Sequence, residues 1–205
     1  VGDVARRDLV EVVRQHDVHG RHRANVARRD RVFERGAGQR GTTVDDDGVL
    51  QDGELLRVTD GAMIEHFGHF NSGSSKEAIA ESIETIQAAG RSRKIVLVKA
   101  WPGFSFREEE MMKKPRDELA RLAKQRITFP LACFLVAAQP NCYFCYTWGY
   151  REKLGTFQWY PEFDKPLGPP KGDAERHDWT YQREFEHASV FVDLETRTAR
   201  IDWRR

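Results

Sequence analysis

Three short apolar runs decide the fold: AMI at 62–64 within DGAMIEHF (60–67), IVLV at 95–98 within KIVLVKAWPGF (94–104), and YFCY at 143–146 within CYFCYTWGY (142–150). Each run is too short for a helix of ordinary length. Continuous apolar runs of this length, bounded by turn residues, are typical of strands buried on both faces of a sheet. The sequence therefore predicts three buried strands.

Helical signals fill the space between the first two runs. Ser74 or Ser75 can cap a helix, and Gly90 can end it. Its apolar positions recur at helical spacing and form one stripe that would face a sheet. The stripe consists of Ile79, Ile83 and Ile86.

A second helix is predicted between the second and third runs. It begins near Pro115 or Asp117 and continues to Ala138, with a disturbance near Pro130. Buried strands that alternate with helices pair in parallel through crossover connections. The predicted class is α/β with parallel strands.

The tail has a different pattern. WTYQREFEHASVFVDLETRTARIDW (179–203) alternates large and polar residues on both sides of a turn at Glu195 and Thr196. This alternation predicts a C-terminal β-hairpin.

The first third of the chain differs in composition from the rest. Before Lys76 every Lys or Arg is an arginine, and Phe33 is the one Phe, Tyr or Trp between residues 1 and 66. We therefore divide the chain into a ring-poor, Arg-rich segment, 1–54, and a folded part, 55–205. Three interpretations of 1–54 stay open: a nucleic-acid-binding arm, a poorly ordered extension, or an aberrant stretch not native to the fold.

Bulk properties restrict the partners. The 205 residues contain 33 basic and 32 acidic side chains, so the net charge is +1 and no strong field would attract nucleic acid or an anionic membrane. The longest apolar stretch, 131–138, is too short to cross a bilayer, and the start of the chain lacks a signal-peptide pattern. We expect a soluble chain without nucleic-acid or membrane partners, and its oligomeric state stays open.

The order of the motifs carries a family resemblance. DGAMIEHF, KIVLVKAWPGF, YTWGY, WYPEFDKPLGPP (159–170) and the tail, with Arg183, Phe185 and the strand 190–192, resemble the last part of glycoside hydrolases of the TIM-barrel class, over about 60–203. The resemblance implies a partial (β/α) barrel and two carboxylates acting on a polysaccharide. A complete barrel usually takes about 250 residues, so we expect a fragment. Such a family suits a secreted or periplasmic protein, although the location stays open.

The candidate catalytic residues are Glu65 and Glu162. In a barrel, catalytic groups lie at the carboxyl ends of the strands, and Glu65 directly follows the run 62–64. Glycoside hydrolysis needs a second carboxyl group, for which Glu162 is the candidate and Asp164 and Asp60 are alternatives. The competing interpretations are an ion-paired Glu65 and a solvated Glu162.

The candidate substrate-binding residues end strands or lie near their ends. They are His66, Lys99, Trp101, Trp148 and Tyr160. Planar rings at the mouth of a cleft stack on sugar faces, and lysine or histidine donates to hydroxyl groups. The competing interpretation is that the rings pack under loops.

Other chemistries are set aside. His66 and His69 lack further ligands in a metal-binding pattern, and Cys142 and Cys145 lie three apart in a strand, so they point to opposite faces. No phosphate-binding loop or nucleophile elbow occurs. We expect neither metal nor cofactor, with carbohydrate as the partner. The alternatives to an enzyme are a non-catalytic carbohydrate-binding remnant and an Arg-rich interaction module.

Overall fold

The computed structural model describes residues 60–68, 75–151, 154–156 and 158–204, without the side chain of His66. The three interpretations of segment 1–54 concern residues outside this part of the chain.

The three apolar runs form one parallel sheet. Its strands are β1 (Gly61–Phe67), β2 (Ile95–Ala100) and β3 (Cys142–Tyr146), in the order β1-β2-β3. Both strand pairs are parallel, so all carboxyl ends lie at the same edge. The predicted strands and their common direction are confirmed. The described strands form no closed barrel, because this sheet has three members and the remaining strands belong to a separate antiparallel sheet.

The helix between β1 and β2 follows its sequence signals. Helix α1 (Lys76–Arg91) begins after Ser75, whose hydroxyl accepts a hydrogen bond of 3.2 Å from the Ala78 N–H. The predicted stripe Ile79, Ile83 and Ile86 is buried. The predicted end at Gly90 is off by one residue, within the usual uncertainty of helix boundaries.

The region between β2 and β3 contains three helices. A short helix α2 (Glu109–Met112) precedes α3 (Arg116–Arg126) and α4 (Thr128–Ala137). The prediction of one helix disturbed near Pro130 was wrong about the position of the break, which lies at Ile127. Pro130 lies in the first turn of α4, where a missing N–H and a fixed φ are tolerated. None of the helices in the described ranges has both the length and the apolar character needed to span a bilayer.

Helix α4 is apolar on every side. All its residues from 129 to 137 are buried, as expected for a helix enclosed by other elements. Phe134 packs against Phe144 of β3 with ring centres 5.1 Å apart. The opposite side of α4 packs against the C-terminal sheet. This helix therefore joins the two sheets in one core.

The C-terminal sheet is antiparallel and larger than the predicted hairpin. It consists of β4 (Glu175–His177), β5 (Thr180–Glu184), β6 (Ala188–Asp193) and β7 (Thr198–Trp203), in that order. The hairpin with its turn at Glu195 and Thr196 is confirmed as β6–β7. The Asp193 carboxylate accepts hydrogen bonds from both turn N–H groups, which favours the turn.

Arg183 of β5 connects this sheet to α4. Its side chain is 3% exposed, and its Nη1 donates to the carbonyl oxygens of Leu135 (3.0 Å) and Ala138. Its Nε donates to the Gly172 carbonyl oxygen at 3.2 Å. A cation at the carboxyl end of a helix satisfies the orphan carbonyl groups and opposes the helix dipole. Arg183 therefore has a structural role.

Candidate active site

The parallel sheet has one covered face and one open face. The helices cover the face formed by alternate residues such as Ile64, Val96 and Phe144, which are buried. The open face exposes Met63 by 38% and Leu97 by 39%. Because the strand repeat is two residues, Glu65, Lys99 and Cys145 lie on this open face as well.

Glu65, Lys99 and Cys145 form a row across the three strands. Lys99 lies opposite Cys145 in the β2–β3 register, and Glu65 follows Ile64, which lies opposite Val98. Neighbouring strands are about 4.8 Å apart, so adjacent members of this row can interact. The row lies near the carboxyl ends of the strands, where the sequence places the catalytic groups. We call these three residues the central row.

Lys99 is a buried cation inside an aromatic cage. Its side chain is 3% exposed, and its Nζ lies 3.5 Å from the ring centre of Trp101 and 3.4 Å from that of Tyr150. The nearest carboxylate oxygen, Glu65 Oε1, is 3.9 Å away, and no hydrogen-bond acceptor of the described residues bonds to Nζ. Burial lowers the pKa of Lys99 to about 8, against the opposing effects of Glu65 and Cys145.

Trp101 holds the backbone of the catalytic candidate. Its Nε1 donates a 2.8 Å hydrogen bond to the Glu65 carbonyl oxygen across the β1–β2 boundary. The ring is 2% exposed and contacts Phe106 and Tyr150, with centres 6.4 Å and 5.9 Å away. Trp101 is thus placed at the site, with its ring inside the protein.

Trp148 also follows the carboxyl end of its strand, and its ring is fully buried. Phe104 packs against it with ring centres 5.7 Å apart. Gly155, with φ +78°, lies so close that an added Cβ would be 2.4 Å from the indole ring. The Trp148 carbonyl oxygen accepts a 2.8 Å hydrogen bond from the Phe106 N–H. The loops after β2 and β3 are therefore joined at this edge.

Tyr160 and Glu162 lie on the β3 side of the site. Tyr160 precedes a 3₁₀ helix (Pro161–Asp164), and its ring packs edge-on against Tyr146 at 5.1 Å. The Tyr160 hydroxyl and the Glu162 Oε2 are buried, and neither has a hydrogen-bond partner among the described residues. Burial, Cys145 and Glu162 all raise the pKa of Tyr160. Because Tyr146 belongs to the covered face of the sheet, Tyr160 lies at the β3 edge and not over the central row.

The structure thus brings Glu65, Lys99 and Trp101 into contact and places Tyr160 and Glu162 at the β3 edge of the sheet, next to Tyr146. The side chain of His66 lies outside the described part. Two residues of this region were missed by sequence reasoning, Cys145 and Tyr150. Cys145 was detectable from strand alternation, and Tyr150 from its place two residues after Trp148.

Metal binding has no structural support among the described side chains, which contain no group of three His, Cys, Asp or Glu able to hold an ion. Cys142 is buried and Cys145 exposed on opposite faces of β3, as the spacing predicted.

The family model of hypothetical glycosyl hydrolase family 15 matches residues 26–189 of this chain. The chain belongs to this family. The matched residues include β1, β2, β3 and the whole central row, and the match begins inside the segment 1–54. The predicted resemblance to a glycoside hydrolase is confirmed. A comparison with curated proteins gave no match.

Proposed function

We propose that this chain cleaves a glycosidic bond of a polysaccharide, with Glu65 as a catalytic carboxylate. One observation carries the proposal: Glu65 lies near the carboxyl end of β1, on the open face of the sheet, with a buried ammonium group 3.9 Å away. Its side chain is 34% exposed, so a substrate can reach the carboxylate. Membership of a glycosyl hydrolase family supplies the substrate class, a carbohydrate.

The parallel sheet fits a segment of a (β/α) barrel. In such a barrel the helices cover the outer face of the strands, and the inner face is closed by further strands. Here α1 and α4 lie on one side, and the exposed Met63 and Leu97 lie on the other. The open face corresponds to the barrel interior in this proposal, and the central row lies at its catalytic end.

The two carboxyl groups have different surroundings, which suits different roles. Glu65 is ion-paired with Lys99, an arrangement suited to a nucleophile or general base. Glu162 is half-buried, and its Oε2 has no hydrogen-bond partner among the described residues. In the proposed step, Glu162 protonates the departing glycosidic oxygen as its bond to the anomeric carbon breaks. Glu65 then either bonds to that carbon or takes a proton from the attacking water.

The remaining candidates support these two carboxylates. Lys99 fixes the charge next to Glu65, and its three N–H donors can bond a sugar hydroxyl. Trp101 acts through its hydrogen bond to the Glu65 backbone and its contact with Lys99. Trp148 joins the two loops that border the site. A role for the buried Tyr160 in substrate binding stays a prediction. A role for His66 in substrate binding stays a prediction.

Replacing Glu65 by glutamine tests the proposal. The substitution keeps size and hydrogen bonding and removes the carboxylate, so hydrolysis should fall at least about 1000-fold while sugar binding is kept. Reducing-end release would be measured on β-glucan, xylan, mannan, galactan and polygalacturonate. The matched control is Glu84→Gln, an exposed glutamate of α1 that pairs with Arg176. Its activity should match that of the parent chain.

Two outcomes would contradict the proposal. Equal hydrolysis by Glu65→Gln and the parent would remove Glu65 from the mechanism. Binding of these polysaccharides by both forms, without hydrolysis by either, would instead identify a carbohydrate-binding protein without catalytic activity.

A further inference from the structure

Tyr150 is an exposed aromatic ring beside the central row. Its side chain belongs to the segment after β3, and 54% of the residue is exposed, the largest exposure among the large apolar residues described. By contrast, the rings of Trp101 and Trp148 are 2% and 0% exposed. The ring that offers a surface to solvent at this edge is therefore that of Tyr150.

The ring is held on one side by protein groups. Lys99 Nζ lies 3.4 Å from its centre, against one ring face. Trp101 and Phe106 contact it in nearly perpendicular orientations, with interplanar angles of 82° and 74°. Such edge-to-face contacts restrict a ring without covering it. Since Lys99 Nζ is itself buried, the exposed surface of Tyr150 includes the face turned away from Lys99.

Tyr150 and the Glu65 carboxylate are neighbours of the same ammonium group. One atom, Lys99 Nζ, lies 3.9 Å from Glu65 Oε1 and 3.4 Å from the Tyr150 ring centre. The Tyr150 ring centre is therefore at most about 7.3 Å from Glu65 Oε1, and the outer face lies on the side of the ring away from Lys99. A ring held at this distance from a reacting centre can position the sugar that is cleaved or its neighbour.

We infer that the outer face of Tyr150 is a stacking surface for one pyranose unit of the substrate, adjacent to the unit whose bond Glu65 attacks. The negative face of an aromatic ring attracts the C–H groups of a sugar, which carry partial positive charge, and the flat apolar contact excludes water. The class of sugar that fits is a pyranose with a face formed mainly by C–H groups, as in β-linked glucose, xylose or mannose chains. This inference rests on the proposed function.

Three substitutions distinguish stacking on a sugar from simple shielding of the Lys99 ammonium group from solvent. Tyr150→Phe keeps the ring, Tyr150→Leu keeps apolar cover without a ring, and Tyr150→Ala removes both. Each is made in the Glu65→Gln background, and binding is measured by calorimetry with cellohexaose, xylohexaose, mannohexaose and oligogalacturonate. Tyr150→Phe should bind within about threefold of the background chain, while Tyr150→Leu and Tyr150→Ala should bind about tenfold more weakly or worse. Phe191→Ala, a half-buried ring of β6, is the control and should leave binding unchanged.

The outcomes distinguish this inference from the proposed function. Unchanged affinity in Tyr150→Leu and Tyr150→Ala would overturn the stacking role while the hydrolase proposal stands on the Glu65 result. A loss in Tyr150→Ala that Tyr150→Leu restores would show that cover of Lys99, and not stacking, matters, and would also overturn it. Absence of binding of all four oligosaccharides to the background chain would overturn both proposals together.

Discussion

Each of the two sheets buries one cation, and the two cations have different bonding partners. Lys99 of the parallel sheet and Arg183 of the antiparallel sheet are both 3% exposed. The Arg183 guanidinium group donates to three backbone carbonyl groups. The Lys99 ammonium group has two aromatic rings and one carboxylate at 3.9 Å, and its Nζ makes no hydrogen bond with the described residues.

This difference separates a charge that supports the fold from one that we propose acts in the site. A buried charge that is not hydrogen-bonded destabilises the folded state, whereas one that satisfies helix-end carbonyl groups stabilises it. The antiparallel sheet therefore supports the fold. The parallel sheet keeps an unfavourable group at the edge where the carboxylate lies, which is a property of catalytic sites.

The largest effect is expected from Arg183→Met. The substitution leaves the buried carbonyl oxygens of Leu135 and Ala138 without this donor and removes the hydrogen bond to Gly172. It should lower the free energy of unfolding by about 3 kcal/mol. The melting temperature should fall by roughly 6–12 °C in differential scanning fluorimetry. Arg200→Met, on the exposed side of β7, is the control and should change the temperature by less than about 2 °C. Equal shifts in the two variants would remove the distinction between the cations.

A smaller effect of opposite sign is expected from Lys99→Met. Removing a buried ammonium group without hydrogen bonds should raise the free energy of unfolding at pH 7 by about 1 kcal/mol, measured by urea denaturation. Lys124→Met, an exposed lysine of α3, should have no effect beyond about 0.5 kcal/mol. A loss of stability in Lys99→Met comparable to that in Arg183→Met would show that Lys99 also supports the fold.

The same pair of chains should differ in the pH dependence of stability. The pKa of Lys99 falls from 10.5 in the unfolded chain to about 8 in the folded one, so the unfolded state binds more protons between these values. The destabilising effect of the ammonium group is present below pH 8 and is lost as the pH rises toward 10.5. The stability advantage of Lys99→Met should shrink over this window by about 1 kcal/mol and so disappear. Both chains should carry Cys145→Ser, because that thiol faces Lys99 and its charge acts on the Lys99 pKa. A constant advantage across the window would contradict the lowered pKa of Lys99.

The smallest effect concerns the accessibility of the open face. Of the three cysteines, Cys133 and Cys142 are buried and Cys145 is exposed in the central row. A maleimide should therefore label one cysteine in the native chain and three after denaturation, and peptide mass spectrometry should place the native label on Cys145. Labelling of Cys142 at the rate of Cys145 would indicate that the covered face of the parallel sheet also opens.

The sequence predicted the parallel sheet well because its strands are continuous apolar runs, and it predicted α1 because Ser75 and the isoleucine stripe mark a cap and a face. It misplaced the break near Pro130 because a proline in a first turn does not disturb a helix. It missed β4, whose residues are all exposed and show no alternation. The residues of β5 were predicted to be extended, but only as part of a hairpin.

The positions of Glu65 and Lys99 in the candidate site could be predicted, because position along a strand determines which end and which face of the sheet a residue occupies. The burial of the Trp101 and Trp148 rings could not be predicted. Trp101 and Trp148 are buried by Phe104, Phe106 and Gly155, whose contacts depend on how two loops fold against each other. The environment of Lys99 likewise needs Tyr150, fifty-one positions away in the sequence.

Helix α4 makes the two sheets thermodynamically inseparable. A segment with no water-compatible side can exist in solution only while both of its neighbours are in place, so neither sheet should persist alone. A shortened chain that ends before β4 would expose this segment and aggregate, even though every proposed catalytic residue is retained. Loss of the distant C-terminal strands would therefore abolish activity without any change to the chemistry of the site.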